Sequence, residues 1–245
     1  MHQNNKTSIR RTAVTIAVAD CRITHDIENA LYGYADKIIK LPPYSALAEP
    51  VASHPDMLLW RVGRKIVTYG AYAEIAKDEL LSLLALGFEL VTESALPSAS
   101  YPDDVRLNCA TVGKHAIANL KYTSEHVRKS GLTLLHANQG YTKCSTVVVS
   151  DNAIITSDPS VFDTAMRAGI GALKISEGHV RLDGYGTGFI GGASGVTDEA
   201  VLFTGDLSSH PDAEKIEEFC ARHGKRAVSL SSSSLYDYGT VFFFN

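Results

Sequence analysis

The chain has 245 residues, of which 45% are hydrophobic and 20% charged, the usage of an ordinary globular protein able to bury a sizeable core. A formal net charge of −4 leaves only the small basic clusters Arg10-Arg11 and Lys225-Arg226, too little to hold a phosphate backbone, so no nucleic acid partner is expected. No apolar run approaches the roughly 20 residues that cross a bilayer, and Met1-His2-Gln3-Asn4-Asn5-Lys6 lacks a secretory hydrophobic stretch; the expectation is a cytoplasmic protein without membrane attachment.

In chain order, the apolar run 12–18 reads as a strand, 26–34 as a helix and 37–40 as a second strand. A β run follows from Asp56 through Leu58-Leu59-Trp60, then a turn at Gly63-Arg64-Lys65, a strand at Ile66-Val67, a helix over 73–85 and a strand over 88–91. The stretch 105–139 turns at Gly113-Lys114 and ends on Leu132-Thr133-Leu134-Leu135. Next come a strand over 144–149, a turn at Asp151-Asn152, a helix over 160–168 and a strand over 172–175. The segment 193–230 turns at Thr197-Asp198 and carries a helix over 212–221, and the chain closes on the apolar run Val241-Phe242-Phe243-Phe244.

These elements repeat about every 40 to 50 residues as strand, polar turn, strand, helix, strand. The blocks fall at approximately 54–94, 101–139, 140–186 and 188–234, with a fifth made from 235–245 together with 10–43. An unpaired, wholly apolar terminal strand would invite aggregation, so pairing between the two ends is the economical arrangement. No Pro/Gly/Ser-rich linker divides the chain, and the run 231–234 reads as a loop inside the last block, which makes 1–245 one α/β domain. Local signals agree. Ser157-Asp158-Pro159 and Ser209-His210-Pro211-Asp212 precede helical runs, and Gly87, Gly131, Gly169 and Gly224 recur where helices end in a left-handed residue.

Polar residues at the starts of the block strands are the candidates for chemistry, because such strand ends converge on a shared site. Cys144 is the candidate nucleophile, following Gly140-Tyr141-Thr142-Lys143; a nearby cation would lower a thiol pKa, although neighbours on a strand face opposite sides. A small buried cysteine packed in a sheet is the alternative. His54 offers a general acid or base and Asp56 a carboxylate for a cationic group, yet the same His-Pro-Asp recurs at His210-Pro211-Asp212 at a helix start. Asp206, Asn108, Gln139, Tyr141 and Lys143 are candidate substrate-binding residues; Asp158 and Asp206 also fit helix capping. The remaining cysteines, Cys21, Cys109 and Cys220, show no CxxC pairing, so neither a zinc knot nor a disulfide scaffold is expected. No metal or organic cofactor is expected, and Gly188 to Gly195 matches neither a dinucleotide nor a phosphate loop.

The five ββαβ blocks with married ends resemble the pentein fold of guanidine-modifying enzymes: arginine deiminases, dimethylargininases, agmatine deiminases and amidinotransferases. The resemblance is strongest to a branch of that fold labelled a domain of unknown function, through His54-Pro55-Asp56-Met57, Asn138 to Cys144, and Gly188 to Gly195. It implies a five-bladed α/β propeller with pseudo-five-fold symmetry, closed by the N- and C-terminal strands, and a small polar, guanidinium-bearing ligand. The known enzymes carry their nucleophilic cysteine in the last block, where this chain reads Leu235-Tyr236-Asp237-Tyr238-Gly239-Thr240-Val241. Two functions stay open on this ground. One is a cysteine-dependent hydrolase or transferase that uses Cys144, His54 and Asp56 or Asp206; the other is a non-catalytic pentein that binds a ligand or protein.

Overall fold

A computed structural model describes residues 14–245; Thr12 and Ala13 of the expected first strand, and Arg10-Arg11, lie outside the described residues. The order opens with β1 (Ile16–Asp20), α1 (His25–Leu31) and β2 (Lys37–Leu41), then α2 (Pro55–Leu58), β3 (Leu59–Val62), β4 (Lys65–Tyr69), α3 (Gly70–Ile75), α4 (Lys77–Ala85) and β5 (Glu89–Glu93). β6 (Ala110–Val112), β7 (His115–Ala118), α5 (Glu125–Arg128) and β8 (Thr133–His136) follow, and then β9 (Thr146–Ser150), β10 (Ala153–Thr156), α6 (Pro159–Arg167) and β11 (Gly171–Lys174). The last are β12 (Ser194–Val196), β13 (Ala200–Phe203), α7 (Ala213–Arg222), β14 (Arg226–Ser229) and β15 (Phe242–Phe244).

These strands make five three-stranded sheets with one plan. In β3-β4-β5 a tight hairpin through Gly63, at φ 55°, joins the first two strands antiparallel, and the helical crossover returns β5 parallel to β4. The sheets β6-β7-β8, β9-β10-β11 and β12-β13-β14 repeat the pattern. The fifth uses both ends of the chain: β15 runs antiparallel to β1, with Ile16 opposite Phe244 and Val18 opposite Phe242, and β2 lies parallel on the other side. Among the first strands, β6 packs beside β9, β9 beside β12 and β12 beside β15. Trp60 Nε1 of β3 donates to Thr111 Oγ1 of β6 at 3.0 Å, and Arg61 of β3 donates to Phe243 O of β15 at 2.8 Å.

Helix ends follow the sequence signals. Asp158 accepts from Val161 N–H at 2.8 Å, with Pro159 in the first turn of α6, and the residues after the helices, Gly87, Gly131, Gly169 and Gly224, all lie at φ between 72° and 83°. Three expectations need correction. Asp56 opens no strand: Pro55 fixes φ for a single helical turn, and the strand starts only at Leu59. The long helix over 73–85 is two, broken at Ala76, whose backbone leaves the helical region. Cys144 does not begin a strand but sits in a turn, where Ser145 N–H donates to Tyr141 O at 2.9 Å and Thr146 N–H to Lys143 O at 3.0 Å. Among the described residues no helix is long and apolar enough to cross a membrane.

Candidate functional site

The residue two places before each first strand is Met57, Asn108, Cys144, Gly192 and Thr240 in turn, so a common block plan delivers five residues to one place. All five positions are buried, and Gly192 is kept bare because a Cβ there would strike the Asp237 carboxylate. Asn108 organises the centre. Its Oδ1 accepts from the N–H groups of Lys143 at 2.7 Å and Cys144 at 3.2 Å, while its Nδ2 donates to Cys144 Sγ at 2.9 Å and to Asp56 O at 3.1 Å. Lys143 and Cys144 therefore share one acceptor instead of facing opposite sides of a strand.

Asp56 is carried in by α2 and anchored by its own N–H donating to Gly239 O at 2.9 Å. Its Oδ2 accepts from Thr240 Oγ1 at 2.9 Å, and its Oδ1 finds no partner among the described residues. Lys143 Nζ donates to Thr240 Oγ1 at 2.9 Å and to Thr146 O at 3.2 Å. Asp237 is fixed by two backbone donors, Gly239 N–H on Oδ1 and Phe189 N–H on Oδ2, each at 2.9 Å. His54 lies between two carboxylates without bonding either: Nδ1 is 3.7 Å from Asp237 Oδ1 and Nε2 is 3.9 Å from Asp20 Oδ2, and both ring nitrogens are buried and without a hydrogen-bond partner among the described residues. Gly239, at φ 71°, lets the chain pass directly against His54, where any Cβ would collide.

Burial dominates the electrostatics. It pushes the Cys144 thiol well above its ordinary range, and the charges of Asp56 and Asp237 push the same way, against the hydrogen bond from Asn108. Burial raises the Asp237 carboxyl to about 6, with Asp56 adding to the rise and His54 opposing it. The Lys143 ammonium is lowered by burial, in opposition to Asp56, Cys144 and Asp237. The thiol of this resting arrangement is thus protonated, and a positive charge lodged near the carboxylates is what would release it.

The structure brings together Cys144, Asp56, Asn108, Lys143 and His54 from among the expected residues. Tyr141 stands at the edge: its hydroxyl donates to Asp104 at 2.6 Å and its ring stacks on Phe189. Gln139 is engaged elsewhere, donating to Asp158 Oδ2 at 2.8 Å. Asp206 caps its own short turn through Ser208 N–H at 2.9 Å. The second His-Pro-Asp also turns away, with Asp212 accepting from Ser176 N–H at 2.7 Å and Lys215 at 2.6 Å. Sequence reasoning missed Asp237, Thr240 and Asp20. The fixed offset before each first strand is the signal that would have found Thr240, once Asn108 and Cys144 had been noticed.

Comparisons with known proteins place this geometry in a wider set. The family of unknown function (DUF6873) matches residues 18–242, whereas no curated protein matches the sequence. Among solved structures, SxtG, an amidinotransferase from Microseira wollei in the saxitoxin biosynthetic pathway, is similar with a TM-score of 0.54 at 9% identity, covering 89% of each chain. A cysteine-to-serine mutant of DDAH from Pseudomonas aeruginosa, complexed with citrulline, gives 0.51 at 10% identity over 90% of this chain and 93% of that one. A dimethylarginine dimethylaminohydrolase adduct with S-methyl-L-thiocitrulline gives 0.52 at 14% identity over 89% and 92%. With five ββαβ sheets laid out as in these proteins, the chain has the pentein fold and belongs to the family of unknown function DUF6873.

Proposed function

We propose that the five sheets close as a single-domain, pseudo-five-fold propeller around this cluster, and that the cluster binds a small guanidino or amidino cation and acts on its carbon through Cys144. One observation carries the reading: a buried thiol shares the Asn108 amide with Asp56, where Asp56 Oδ1 and both nitrogens of His54 lack partners among the described residues. Leaving the buried Asp56 Oδ1 unpaired costs about 1–3 kcal/mol, which a planar cation donating to Asp56, with Asp237 alongside, would relieve by charge-assisted hydrogen bonds. The same cation offsets the two carboxylates that hold the thiol protonated. The fold shared with an amidinotransferase and a dimethylarginine dimethylaminohydrolase supports the substrate class.

In the reaction, the Cys144 thiolate adds to the guanidinium carbon and the tetrahedral adduct expels an amine. His54 delivers the proton that the amine needs to leave. The amidino group then remains on sulfur, and its transfer to water or to an amine acceptor restores the thiol, giving hydrolase or transferase chemistry respectively. Asn108 holds Sγ in place throughout.

The test is alkylation by 2-chloroacetamidine, with the modified residue located by peptide mass spectrometry and neutral 2-chloroacetamide as control. Cys144 should react faster with the cationic reagent, and His54→Ala should lose the advantage. Labelling no faster than that of glutathione, or equal rates with both reagents, would overturn the catalytic reading. A second reading, non-catalytic ligand binding, is favoured by one fact: Cys144 is only 3% exposed and packs in the same apolar group as Leu182 and Tyr44. It predicts that guanidino compounds raise the melting temperature while the thiol stays unlabelled.

A further inference from the structure

Cys144, Lys143 and Thr240 are all buried, but only the last two border a cavity. Lys143 and Thr240 form part of the wall of a cavity of about 440 Å³, whose rim includes the hairpin residues Gly63, Gly113, Asp151 and Asp198; Cys144 does not border it. A thiol that must ionise in such a place needs a route for its proton. The Asn108 Nδ2 that donates to Cys144 Sγ at 2.9 Å also donates to Asp56 O at 3.1 Å, which sets Asp56 beside the thiol; Asp56 Oδ2 is 2.9 Å from Thr240 Oγ1, and Thr240 Oγ1 is 2.9 Å from Lys143 Nζ. The hydroxyl has one proton and two acceptors for it, Asp56 Oδ2 and Gly191 O, the latter at 2.8 Å. It can therefore accept from one side while donating to the other.

The backbone at this point is unusual. Among the described residues Thr240 is the one non-glycine residue with positive φ, at 68°, a conformation that a β-branched side chain adopts only under strain. Glycine would remove that strain, and it would remove the hydroxyl too. His54 and Asp237 lie beside the cluster, but neither borders the cavity.

We propose that Asp56, Thr240 and Lys143 form a proton relay that carries the Cys144 thiol proton from the occluded site to the cavity. The S–H bond breaks as the Asp56 carboxylate takes the proton. Asp56 passes it to Thr240 Oγ1, while the proton of Thr240 goes to the free amine of Lys143, and the resulting ammonium releases it to water in the cavity. The net products are a thiolate and a solvated proton, with nothing oxidised or reduced. Burial lowers the Lys143 ammonium, which makes the amine form it needs more accessible. In this scheme Thr240 and Lys143 are positioning residues that act through Asp56. The proposal rests on the reading of Cys144 as the nucleophile, but its test does not require catalysis.

The measurement is hydrogen–deuterium exchange of the Cys144 thiol, followed by the infrared S–H stretch after dilution into D2O, with the band assigned by its loss in Cys144→Ala. Thr240→Val keeps the β-branched shape and deletes the hydroxyl; it should slow exchange on the order of 100-fold. Lys143→Gln should slow it similarly, and Thr240→Ser should stay within a few-fold of the wild type. Backbone amide exchange in residues 141–146 should be unchanged in all three. Wild-type thiol exchange in Thr240→Val would overturn the relay, as would thiol exchange that simply tracks those amides. Should Thr240→Val fail to fold, Lys143→Gln decides alone, and wild-type exchange in that variant refutes the proposal. Slowed exchange combined with no labelling by 2-chloroacetamidine would leave the relay standing and sink the catalytic reading.

Discussion

Phe244→Ala probes the seam where the two ends of the chain meet. The Phe244 side chain is wholly buried, lies edge-on to Phe88 with ring centroids 5.1 Å apart, and sits beneath the Arg61 guanidinium at 5.2 Å. Truncating a buried phenylalanine to alanine costs about 3–5 kcal/mol through lost transfer energy and the cavity left behind. At about 2–4 °C per kcal/mol for a chain of this size, thermal unfolding followed by circular dichroism should shift down by about 6–20 °C. Phe243, next to it on β15, is only half-buried, and its alanine variant should lose clearly less. A cycle with Phe88→Ala should return a coupling of about 0.5–1.5 kcal/mol for the aromatic pair. Equal, small shifts for Phe244→Ala and Phe243→Ala would refute the claim that β15 is an integral strand of the sheet it forms with β1 and β2.

Asp237 supplies a pH test. Because its carboxyl is raised to about 6 in the folded protein against about 3.9 unfolded, the native state holds the proton more tightly, so the group's contribution to stability falls as pH rises from about 4 to 6 and then levels off. Asp237→Asn should be less stable overall, since one of the two backbone donors loses its acceptor, but its deficit should shrink as pH is raised through that window; a deficit that is constant or grows would contradict the raised value. Gly239→Ala must both adopt φ 71° and place a Cβ against His54, so its soluble yield and melting temperature should drop sharply, and a variant that melts like the wild type would show that the chain does not pass that close. Asn108→Leu leaves the buried N–H groups of Lys143 and Cys144 without their acceptor and should cost about 2–5 kcal/mol in urea unfolding.

The block plan was legible because each of its parts is a local signal. Glycines at 87, 131, 169 and 224 mark helix ends through a backbone requirement that no neighbour alters, and the hairpins announce themselves through Gly63-Arg64 and Gly113-Lys114. The errors came where two local rules compete: Pro55 both starts a helix and follows a residue driven to extended backbone, and the apolar run after it gave no hint of where the turn would stop. The site was legible only in part. Cys144, His54 and Asp56 stand out by residue type, whereas Thr240 does so by a left-handed φ and by partners nearly a hundred and nearly two hundred residues away in sequence, which no window along the chain displays. Asp206, like Asp158 in its post-hairpin position, was a candidate to line the site, yet nearby Ser208 offers it a local partner, and a short loop closes at less entropic cost than a distant contact.

The pairing of β15 with β1 also sets an order of events during synthesis. Four of the sheets are complete within their own stretch of chain, and each can form soon after its last strand leaves the ribosome. The sheet made by β1 and β2 cannot, because its third member is the last strand of all. At about 5–20 residues per second, the unpaired backbone edge of β1 stays open for on the order of ten seconds or longer while the rest is made. During that interval it is a template for any extended segment nearby, its own first strands β3 to β12 included. Slowing translation ahead of residue 242 should therefore lower the soluble yield of an otherwise unchanged sequence.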